Sequence, residues 1–175
     1  MKNKNKAVFL DRDGTINVDY GYVHQKEKLQ FTEGALEGLK MLYEAGYLLI
    51  IVTNQSGIAR GYFTLNEMEM FHEFMLQQLE ENGITISKIY YCPHLEGCNC
   101  RKPKLEMFYK AQDEFEIDFE RSYAIGDKLR DLSLCEEENV KGYLLTEDVK
   151  ENQSIGSKIT NCKSLLEAAK MIIGN

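Results

Sequence analysis

The chain alternates short runs of consecutive apolar residues with segments whose apolar residues recur at helical spacing. Ala7 to Leu10 and Tyr47 to Val52 are runs of the length expected for strands buried on both faces. Ile89 to Tyr91, Ser122 to Ile125 and Gly142 to Leu145 predict three further strands. Strands alternating with helices predict an α/β fold: a Rossmann-like, mostly parallel sheet with helices on both faces.

Five helices are predicted around these strands. A capping box of Thr64 and Glu67 begins the second of them. The predicted helices cover Glu33 to Ala45, Thr64 to a stop at Gly83, Lys104 to Phe115, Asp131 to Glu138, and Leu165 to Ile173. The polar stretch from Glu147 to Ile159 is predicted to be a loop. No repeat or linker divides the chain, so residues 1–175 are predicted to form a single domain.

Charge and hydropathy exclude several classes of partner. The formal net charge of −7 should repel polyanions, so nucleic acid is not expected as a partner. No stretch reaches the roughly 18 apolar residues of a membrane span, so no membrane partner is expected. The N-terminus does not resemble a secretory signal, which favours the cytoplasm. We expect a monomer that acts on a small phosphorylated metabolite.

Polar groups follow four of the predicted strands. They are Asp11 and Asp13; Thr53 and Asn54; a Cys/His cluster with Arg101 and Lys102; and Gly126, Asp127 and Lys128. Ligands of open parallel sheets bind beyond the carboxyl ends of the strands, so these groups are expected to share one site.

The chemistry of these groups points to magnesium and phosphate. Asp11, Asp13 and Asp127 would repel one another unless a hard cation with oxygen ligands, most naturally Mg²⁺, lay among them. Lys102 and Lys128, beside hydroxyl and amide donors, then suit a phosphate. Positioning and charge neutralisation are what phosphoryl transfer mainly needs. One Asp can act as the nucleophile, while a second protonates the leaving oxygen and then activates water.

Simpler interpretations exist for each motif. The Asp11-x-Asp13 pair alone could be a turn closed by an Asx hydrogen bond. The segment Thr53 to Gly57 could be an ordinary polar loop, and Lys102 and Lys128 could be solvated charges. Because these polar groups occur together at the ends of four predicted strands, a catalytic site is the favoured interpretation.

A second metal site is predicted after the third strand. Three of the five cysteines and one histidine fall within nine residues, as Cys92, His94, Cys98 and Cys100. Three thiolates and one imidazole suit a closed, structural zinc site. The alternative is three buried thiols beside a surface histidine. Cys135 and Cys162 stand apart and are predicted to be small core residues.

The ordered motifs resemble those of a known superfamily. Asp11-Arg-Asp13-Gly-Thr15, Thr53-Asn54, Lys102 and Gly126-Asp127-x-x-x-Asp131 look like the four motifs of the haloacid dehalogenase phosphatases. Within it, the chain resembles the D-glycero-D-manno-heptose 1,7-bisphosphate 7-phosphatases, and much is shared with the related histidinol-phosphate phosphatases. Four segments resemble this branch in particular: DRDGTINVDYGYVH, VTNQSGIARG, YYCPH and CRKP. The resemblance spans roughly Lys6 to Leu145.

The resemblance implies a role for each matching residue. Asp11 would be nucleophile and metal ligand, and Asp13 the general acid/base that also offers its backbone carbonyl to Mg²⁺. Thr53 and Lys102 would hold the transferring phosphoryl group, Asp127 would complete the metal shell, and Asp131 would orient Lys128 or Lys102. Two segments would line the substrate: Asp19, Tyr20, Gly21 and Tyr22, and Thr53, Asn54, Gln55 and Ser56. Arg101 would recognise the sugar end of the substrate, and we predict that it contacts the second phosphate there.

Two features bear on substrate choice. About 38 residues separate Thr15 from Thr53, and the predicted strand and helix use them up, so no cap domain is expected. Only Leu95, Glu96 and Gly97 separate His94 from Cys98, whereas family members often have a longer loop there. The leading interpretation is a sugar-bisphosphate phosphatase. The alternatives are a histidinol-phosphate phosphatase, a polynucleotide 3′-phosphatase, and a zinc-organised binding module that no longer catalyses.

Overall fold

The computed structural model describes residues 4–147, 154–155 and 157–174, which contain seven strands and five α-helices. The strands are β1 (Ala7–Leu10), β2 (Leu48–Asn54), β3 (Lys88–Cys92), β4 (Tyr123–Gly126), β5 (Lys141–Leu145), β6 (Ser154–Ile155) and β7 (Ile159–Cys162). The helices are α1 (Ala35–Glu44), α2 (Leu65–Glu81), α3 (Glu106–Phe115), α4 (Leu134–Glu137) and α5 (Leu165–Ile173). Short 3₁₀ turns lie at Lys26–Lys28, Phe119–Arg121 and Leu129–Leu132.

The seven strands form one sheet in the order β3-β2-β1-β4-β5-β7-β6. Every neighbouring pair is parallel except β6 and β7, which are antiparallel. The predicted mostly parallel α/β sheet is therefore confirmed. β1 lies between β2 and β4, where the order of connections reverses direction. Such a switch point is where parallel sheets place their ligands.

Both faces of the sheet are buried, as the apolar runs predict. Successive side chains of β1 point to opposite faces, so Val8 and Leu10 join one hydrophobic cluster and Ala7 and Phe9 join the other. The first cluster includes residues of α1, α2 and α5, and the second includes residues of α3 and α4. The Phe9 and Phe108 rings meet edge to face at 5.4 Å. Helices thus cover both faces, which is the arrangement that the sequence predicted.

The capping box at the start of α2 is confirmed. The Thr64 hydroxyl accepts a hydrogen bond from the Glu67 backbone N–H at 3.1 Å, and the Glu67 carboxylate accepts one from the Thr64 N–H at 2.7 Å. These two bonds satisfy backbone donors that a helix start leaves unpaired.

The predicted loop from Glu147 to Ile159 is wrong at its end. Residues 148–153 and 156 lie outside the described residues, but β6 occupies Ser154–Ile155, and Ile159 begins β7. β7 pairs with β5 in parallel, with Gly142 opposite Ile159. The strand is only four residues long and carries two polar residues, Thr160 and Asn161, in its middle. Its formation depends on an open edge of β5, which no local pattern reveals.

Two smaller predictions have different outcomes. The helix expected over Asp131–Glu138 is divided into the 3₁₀ turn Leu129–Leu132 and the short α4, so its predicted start is wrong. Cys135 and Cys162 are both buried in hydrophobic clusters, which confirms them as core residues.

The path of the chain leaves no room for a cap. Between Thr15 and Thr53 lie a 3₁₀ turn, α1 and most of β2, and between Asn54 and Lys102 lie α2, β3 and the cysteine cluster. Within the described ranges, no helix is long and apolar enough to cross a bilayer.

Candidate active site

The carboxyl ends of the parallel strands deliver the predicted polar groups to one cleft of about 390 Å³. The residues that line it are Asp11, Asp13, Asp19, Gly21, Tyr22, Asn54, Gln55, Ser56, Arg60, Arg101, Lys128, Arg130 and Asp131. Thr53 and Lys102 are buried beside them, at 1% and 2% exposure. The structure therefore brings together most of the residues that the four strand ends predicted.

Lys102 is a buried ammonium with three oxygen partners. Its Nζ donates to Asp11 Oδ1 at 2.9 Å, to Asp131 Oδ1 at 2.8 Å and to the Val52 carbonyl at 2.6 Å. Burial disfavours the charged form, but Asp11 and Asp131 overcome that effect and raise the pKa of Lys102. A buried cation with this set of partners is fixed in place and stays charged.

The backbone at Lys102 is also fixed. The Asn54 side-chain Oδ1 accepts from the Lys102 N–H at 3.0 Å, and its Nδ2 donates to the Lys102 carbonyl at 3.1 Å. Asn54, the last residue of β2, lines the cleft as predicted, and it has this additional role that the sequence did not reveal.

Asp131 contacts both of the lysines for which the resemblance left a choice, Lys102 through its side chain and Lys128 through its backbone. Its Oδ1 pairs with Lys102 Nζ, and its Oδ2 accepts from the Lys128 backbone N–H at 3.1 Å. Asp131 is itself buried. The Lys128 side chain extends toward solvent and lies 3.4 Å from Asp127 Oδ2.

Three carboxylates meet beside Lys102 in an arrangement that suits a cation. Oxygens of Asp11, Asp127 and Asp131 lie within 4.8 Å of one another. Burial raises the pKa of Asp11 to about 7, while Lys102 opposes the rise, and burial together with the Asp131 charge raises the pKa of Asp127. Asp127 Oδ1 is buried with no hydrogen-bond partner among the described residues. An unpaired buried oxygen in an acidic group is what a hard divalent cation would satisfy.

The carboxylate of Asp13 lies apart from that acidic group. Its Oδ1 accepts from Arg12 Nη2 at 2.8 Å and from Asn17 Nδ2 at 3.0 Å, and its Oδ2 accepts from Gln55 Nε2 at 3.1 Å. Gln55 also donates to Thr53 Oγ1 at 3.0 Å. The Asp13 side chain is thus held by Arg12, Asn17 and Gln55, and it is not one of the three converging carboxylates.

The turn after β1 approaches Asp127 closely. Gly14 has a φ of +83°, and a Cβ there would lie 2.3 Å from Asp127 Oδ2. Glycine at this position therefore meets two demands at once, a left-handed backbone and the absence of a side chain.

The segment Asp19 to Tyr22 forms one wall of the cleft. The Gly21 N–H donates to Asp19 Oδ1 at 2.9 Å, and the Tyr22 ring packs edge to face on Tyr62 at 4.7 Å between centroids. Tyr20 is outside the cleft lining, and its hydroxyl donates to Gln30. Three of the four residues predicted in this segment therefore line the cleft.

Two arginines that the sequence analysis missed also line the cleft, and we call the cationic side chains at its edge the rim. Arg101 and Lys128 line the cleft as predicted, and Arg60 and Arg130 join them. Arg60 follows the Thr53–Ser56 segment and its guanidinium lies 6.0 Å from the Tyr22 ring centroid. Arg130 follows Asp127 by three residues. Their nearness in sequence to two of the motifs was the signal that could have identified them.

The predicted soft-metal ligands converge in space. Cys92 Sγ lies 3.6 Å from Cys98 Sγ and 2.9 Å from Cys100 Sγ, and His94 Nδ1 lies 3.3 Å from Cys100 Sγ. All four ligand atoms fall within 4.8 Å of one another. Burial raises the pKa of Cys92 to about 12, which a bound cation would counteract. The cluster is compatible with a tetrahedral zinc site.

Comparisons with known proteins agree with this geometry. The family model described as polynucleotide kinase 3 phosphatase matches residues 6–143. The D-glycero-beta-D-manno-heptose-1,7-bisphosphate 7-phosphatase of Haemophilus ducreyi is 49% identical over 162 residues, covering 87% of this chain and 89% of the relative. The D-glycero-alpha-D-manno-heptose-1,7-bisphosphate 7-phosphatase of Campylobacter jejuni is 42% identical, covering 95% of this chain and 97% of the relative.

A solved structure extends the agreement to three dimensions. The D,D-heptose 1,7-bisphosphate phosphatase from B. bronchiseptica, complexed with magnesium and phosphate, superposes with a TM-score of 0.86 at 27% identity. The match covers 97% of this chain and 98% of that one.

Fold, strand-end carboxylates and the paired lysine define a phosphatase of the haloacid dehalogenase superfamily, a phosphoric monoester hydrolase. Within that class, the chain belongs to the family of the D-glycero-manno-heptose-1,7-bisphosphate 7-phosphatases.

The close approach of Gly14 to Asp127 gives a prediction. Gly14→Ala should displace Asp127 and raise the Mg²⁺ concentration for half-maximal phosphatase activity by roughly tenfold or more. Gly61→Ala is the matched control, because Gly61 has a similar φ of +73° but none of the described residues lies within 4 Å of its added Cβ. Magnesium titrations of both variants check the prediction. Equal magnesium requirements in the two variants would contradict the steric argument.

Proposed function

We propose that this chain hydrolyses the 7-phosphate of D-glycero-manno-heptose 1,7-bisphosphate through an aspartyl-phosphate at Asp11. The observation that carries the proposal is the arrangement at the cleft floor. Asp11 Oδ1 is paired with the buried Lys102, while the rim above it carries Arg101, Lys128 and two further arginines. Such a cleft can neutralise one phosphate at its floor and a second at its edge.

The roles follow from position and chemistry. Asp11 attacks the phosphorus and the sugar oxygen leaves, with Asp13 donating a proton to that oxygen. Asp13 then takes a proton from the water that cleaves the acyl-phosphate, releasing inorganic phosphate. Lys102 and the Thr53 hydroxyl hold the phosphoryl oxygens.

Magnesium fits the acidic group described above. Asp11, Asp127 and the backbone carbonyl of Asp13 would hold it, and the unpaired Asp127 Oδ1 is the observation that supports this assignment. When bound, the ion would neutralise charge on the phosphate.

Substrate selection is assigned to the open rim. Arg101 lies between Cys100, the last cysteine of the cluster, and Lys102, whose backbone is held by Asn54. A zinc ion in the cluster would fix the chain on the other side of Arg101. Its rigid fork suits the second phosphate. Asp19, Gly21, Tyr22 and Ser56 line the rest of the cleft and are proposed to contact the sugar.

Two alternatives are less well supported. Histidinol phosphate carries a single phosphate, so this substrate would leave no second phosphate for the four cationic side chains that line the cleft. A polynucleotide 3′-phosphatase is suggested by the description of the matching family model, but a net charge of −7 opposes binding to a polyanion. We also propose a cytoplasmic monomer with the whole chain as one domain.

Zinc is proposed at Cys92, His94, Cys98 and Cys100. The Cys92 and Cys98 sulfur atoms, 3.6 Å apart, are spaced as two ligands of a tetrahedral zinc would be, whereas Cys92 and Cys100, at 2.9 Å, would have to move apart to share the ion. The site would fix the chain just before Arg101 and Lys102. Its role is structural, because four protein ligands leave no open coordination position.

Replacement of the nucleophile tests the mechanism. Asp11→Asn should abolish turnover, because an amide of nearly the same shape cannot form the acyl-phosphate. Phosphate release by the folded variant, compared with the wild type, is the measurement. Near-normal turnover in a folded preparation would rule out covalent catalysis at Asp11.

Replacement of Arg101 tests the substrate. An arginine–phosphate pair of about 1.5–3 kcal/mol corresponds to roughly ten- to hundred-fold in specificity. Arg101→Ala should lower kcat/KM for the heptose bisphosphate by that factor and leave simple monophosphates nearly unchanged. The panel should include both anomers, histidinol phosphate and a 3′-phosphorylated oligonucleotide. The exposed Arg121, which is outside the cleft lining, gives the control Arg121→Ala.

An equal loss on every substrate would place Arg101 in the core catalytic set. Preference for histidinol phosphate or for the oligonucleotide in the wild type would overturn the proposed substrate itself.

Zinc should be measurable directly. Elemental analysis should find about one zinc per chain, and Cys98→Ser should lower the melting temperature. Cys135→Ser is the control, because Cys135 is buried but is not one of the four converging ligands, so its loss should not change the zinc content. A zinc-free preparation whose stability a strong chelator does not change would contradict the site.

A further inference from the structure

Arg12, between the two catalytic aspartates in sequence, is completely buried. A buried guanidinium is costly unless its donors are satisfied. Its Nη2 donates to Asp13 Oδ1 at 2.8 Å and to the Val23 carbonyl at 2.6 Å, and its Nε donates to the same Asp13 oxygen at 3.1 Å. Its Nη1 lies 3.0 Å from Nε2 of His72. Every nitrogen of the guanidinium is thus used.

We propose that Arg12, held from behind by His72, is the positioning residue that orients the carboxylate of Asp13 for proton transfer. The inference rests on the proposed role of Asp13 as general acid and base. It gives a role to Arg12, which had none within its motif, and adds His72 on α2, 60 positions from Arg12 in sequence.

The two oxygens of Asp13 have different surroundings. Oδ1 accepts from Nε and Nη2 of Arg12 and from Asn17 Nδ2, so its lone pairs are occupied. Oδ2 accepts one amide hydrogen bond, from Gln55 at 3.1 Å. Oδ2 is therefore the oxygen through which Asp13 exchanges its proton with the leaving group and with water. The fork of Arg12 fixes which oxygen that is.

His72 holds Arg12 in place as a neutral group, so it does not compete with Asp13 for the positive charge of the guanidinium. Arginine has donors only, so His72 Nε2 must accept, and the imidazole is neutral with its hydrogen on Nδ1. Burial and the neighbouring Arg12 charge lower the pKa of His72 to about 3, which agrees with that state. A carboxylate at this position would pair with Arg12 and weaken its attraction to Asp13. A neutral acceptor leaves the full positive charge directed at Asp13.

The surroundings hold the guanidinium in one place. The Phe71 ring centroid lies 4.8 Å from Arg12 Cζ, and the Val23 carbonyl belongs to the chain just after the Asp19–Tyr22 wall. Arg12 therefore connects the acid, the substrate wall and α2.

The test compares His72→Leu with His72→Gln. Leucine removes the acceptor, whereas glutamine can still accept from Arg12. His72→Leu should lower the single-turnover rate of phosphoryl transfer from an alkyl phosphate by roughly ten- to hundred-fold, and His72→Gln should restore most of it. Transfer from an activated nitroaryl phosphate, whose leaving group needs no proton, should change little. KM should remain within a fewfold of the wild-type value.

Leu79→Ala is the control for general destabilisation. Leu79 is buried on the same helix, so this variant should lose stability while keeping its dependence on the leaving group. If His72→Leu does not fold, Arg12→Lys replaces it, because lysine keeps the charge but cannot form the fork. Equal losses on alkyl and nitroaryl substrates, or no loss on either, would overturn the proposal.

A double-mutant cycle separates this proposal from the one on which it depends. In an Asp13→Asn background, the further loss from His72→Leu should nearly vanish, since the residue being positioned is already absent. If the two substitutions instead lower the rate independently, so that their factors multiply, His72 has a structural role only. If Asp13→Asn alone leaves the alkyl-phosphate rate intact, the assigned role of Asp13 fails, and that result is visible without any His72 variant.

Discussion

The ammonium of Lys102 is the interaction on which the rest of the site depends. It joins Asp11 after β1, the carbonyl of Val52 in β2, and Asp131 beyond β4. Burying a charge of this kind is unfavourable unless its partners are in place, and removing one partner leaves an uncompensated charge. The three strand ends therefore cannot take their positions independently. The same contact fixes Asp11, the proposed nucleophile, and places a buried positive charge beside it.

One lysine does not balance the acidic groups around it. Asp11, Asp127 and Asp131 approach one another within 4.8 Å, and the turn at Gly14 presses against Asp127 with no side chain between them. The fold thus holds an excess of negative charge at the floor of the cleft, with cationic side chains at its rim. A divalent cation would balance the carboxylates at the floor of the cleft, and a phosphate would balance the cationic side chains at its rim. The protein alone neutralises neither set of charges.

Features that depend on local sequence patterns could be predicted from the sequence. Features created by contacts between distant segments could not. The apolar runs at Ala7–Leu10 and Tyr47–Val52 identified strands because full burial requires continuous hydrophobicity. β7 was missed because its polar middle becomes a strand only beside β5. Arg12 received no role in the sequence analysis, because its contact with His72, 60 positions along the chain, is not visible in any local pattern.

An open cleft without a cap needs its selective side chains held by other means. Here the segment before Lys102 begins in the cysteine cluster, and Asn54 binds the Lys102 backbone through both ends of its amide. Arg101 lies between the two, so the Asn54 hydrogen bonds restrain the backbone on one side of it before substrate arrives, and a metal ion in the cluster would restrain it on the other. On the opposite wall, the Tyr22–Tyr62 pair restrains the other lining segment. Rigidity of short loops can thus replace closure by a mobile domain, because less conformational entropy remains to be lost on binding.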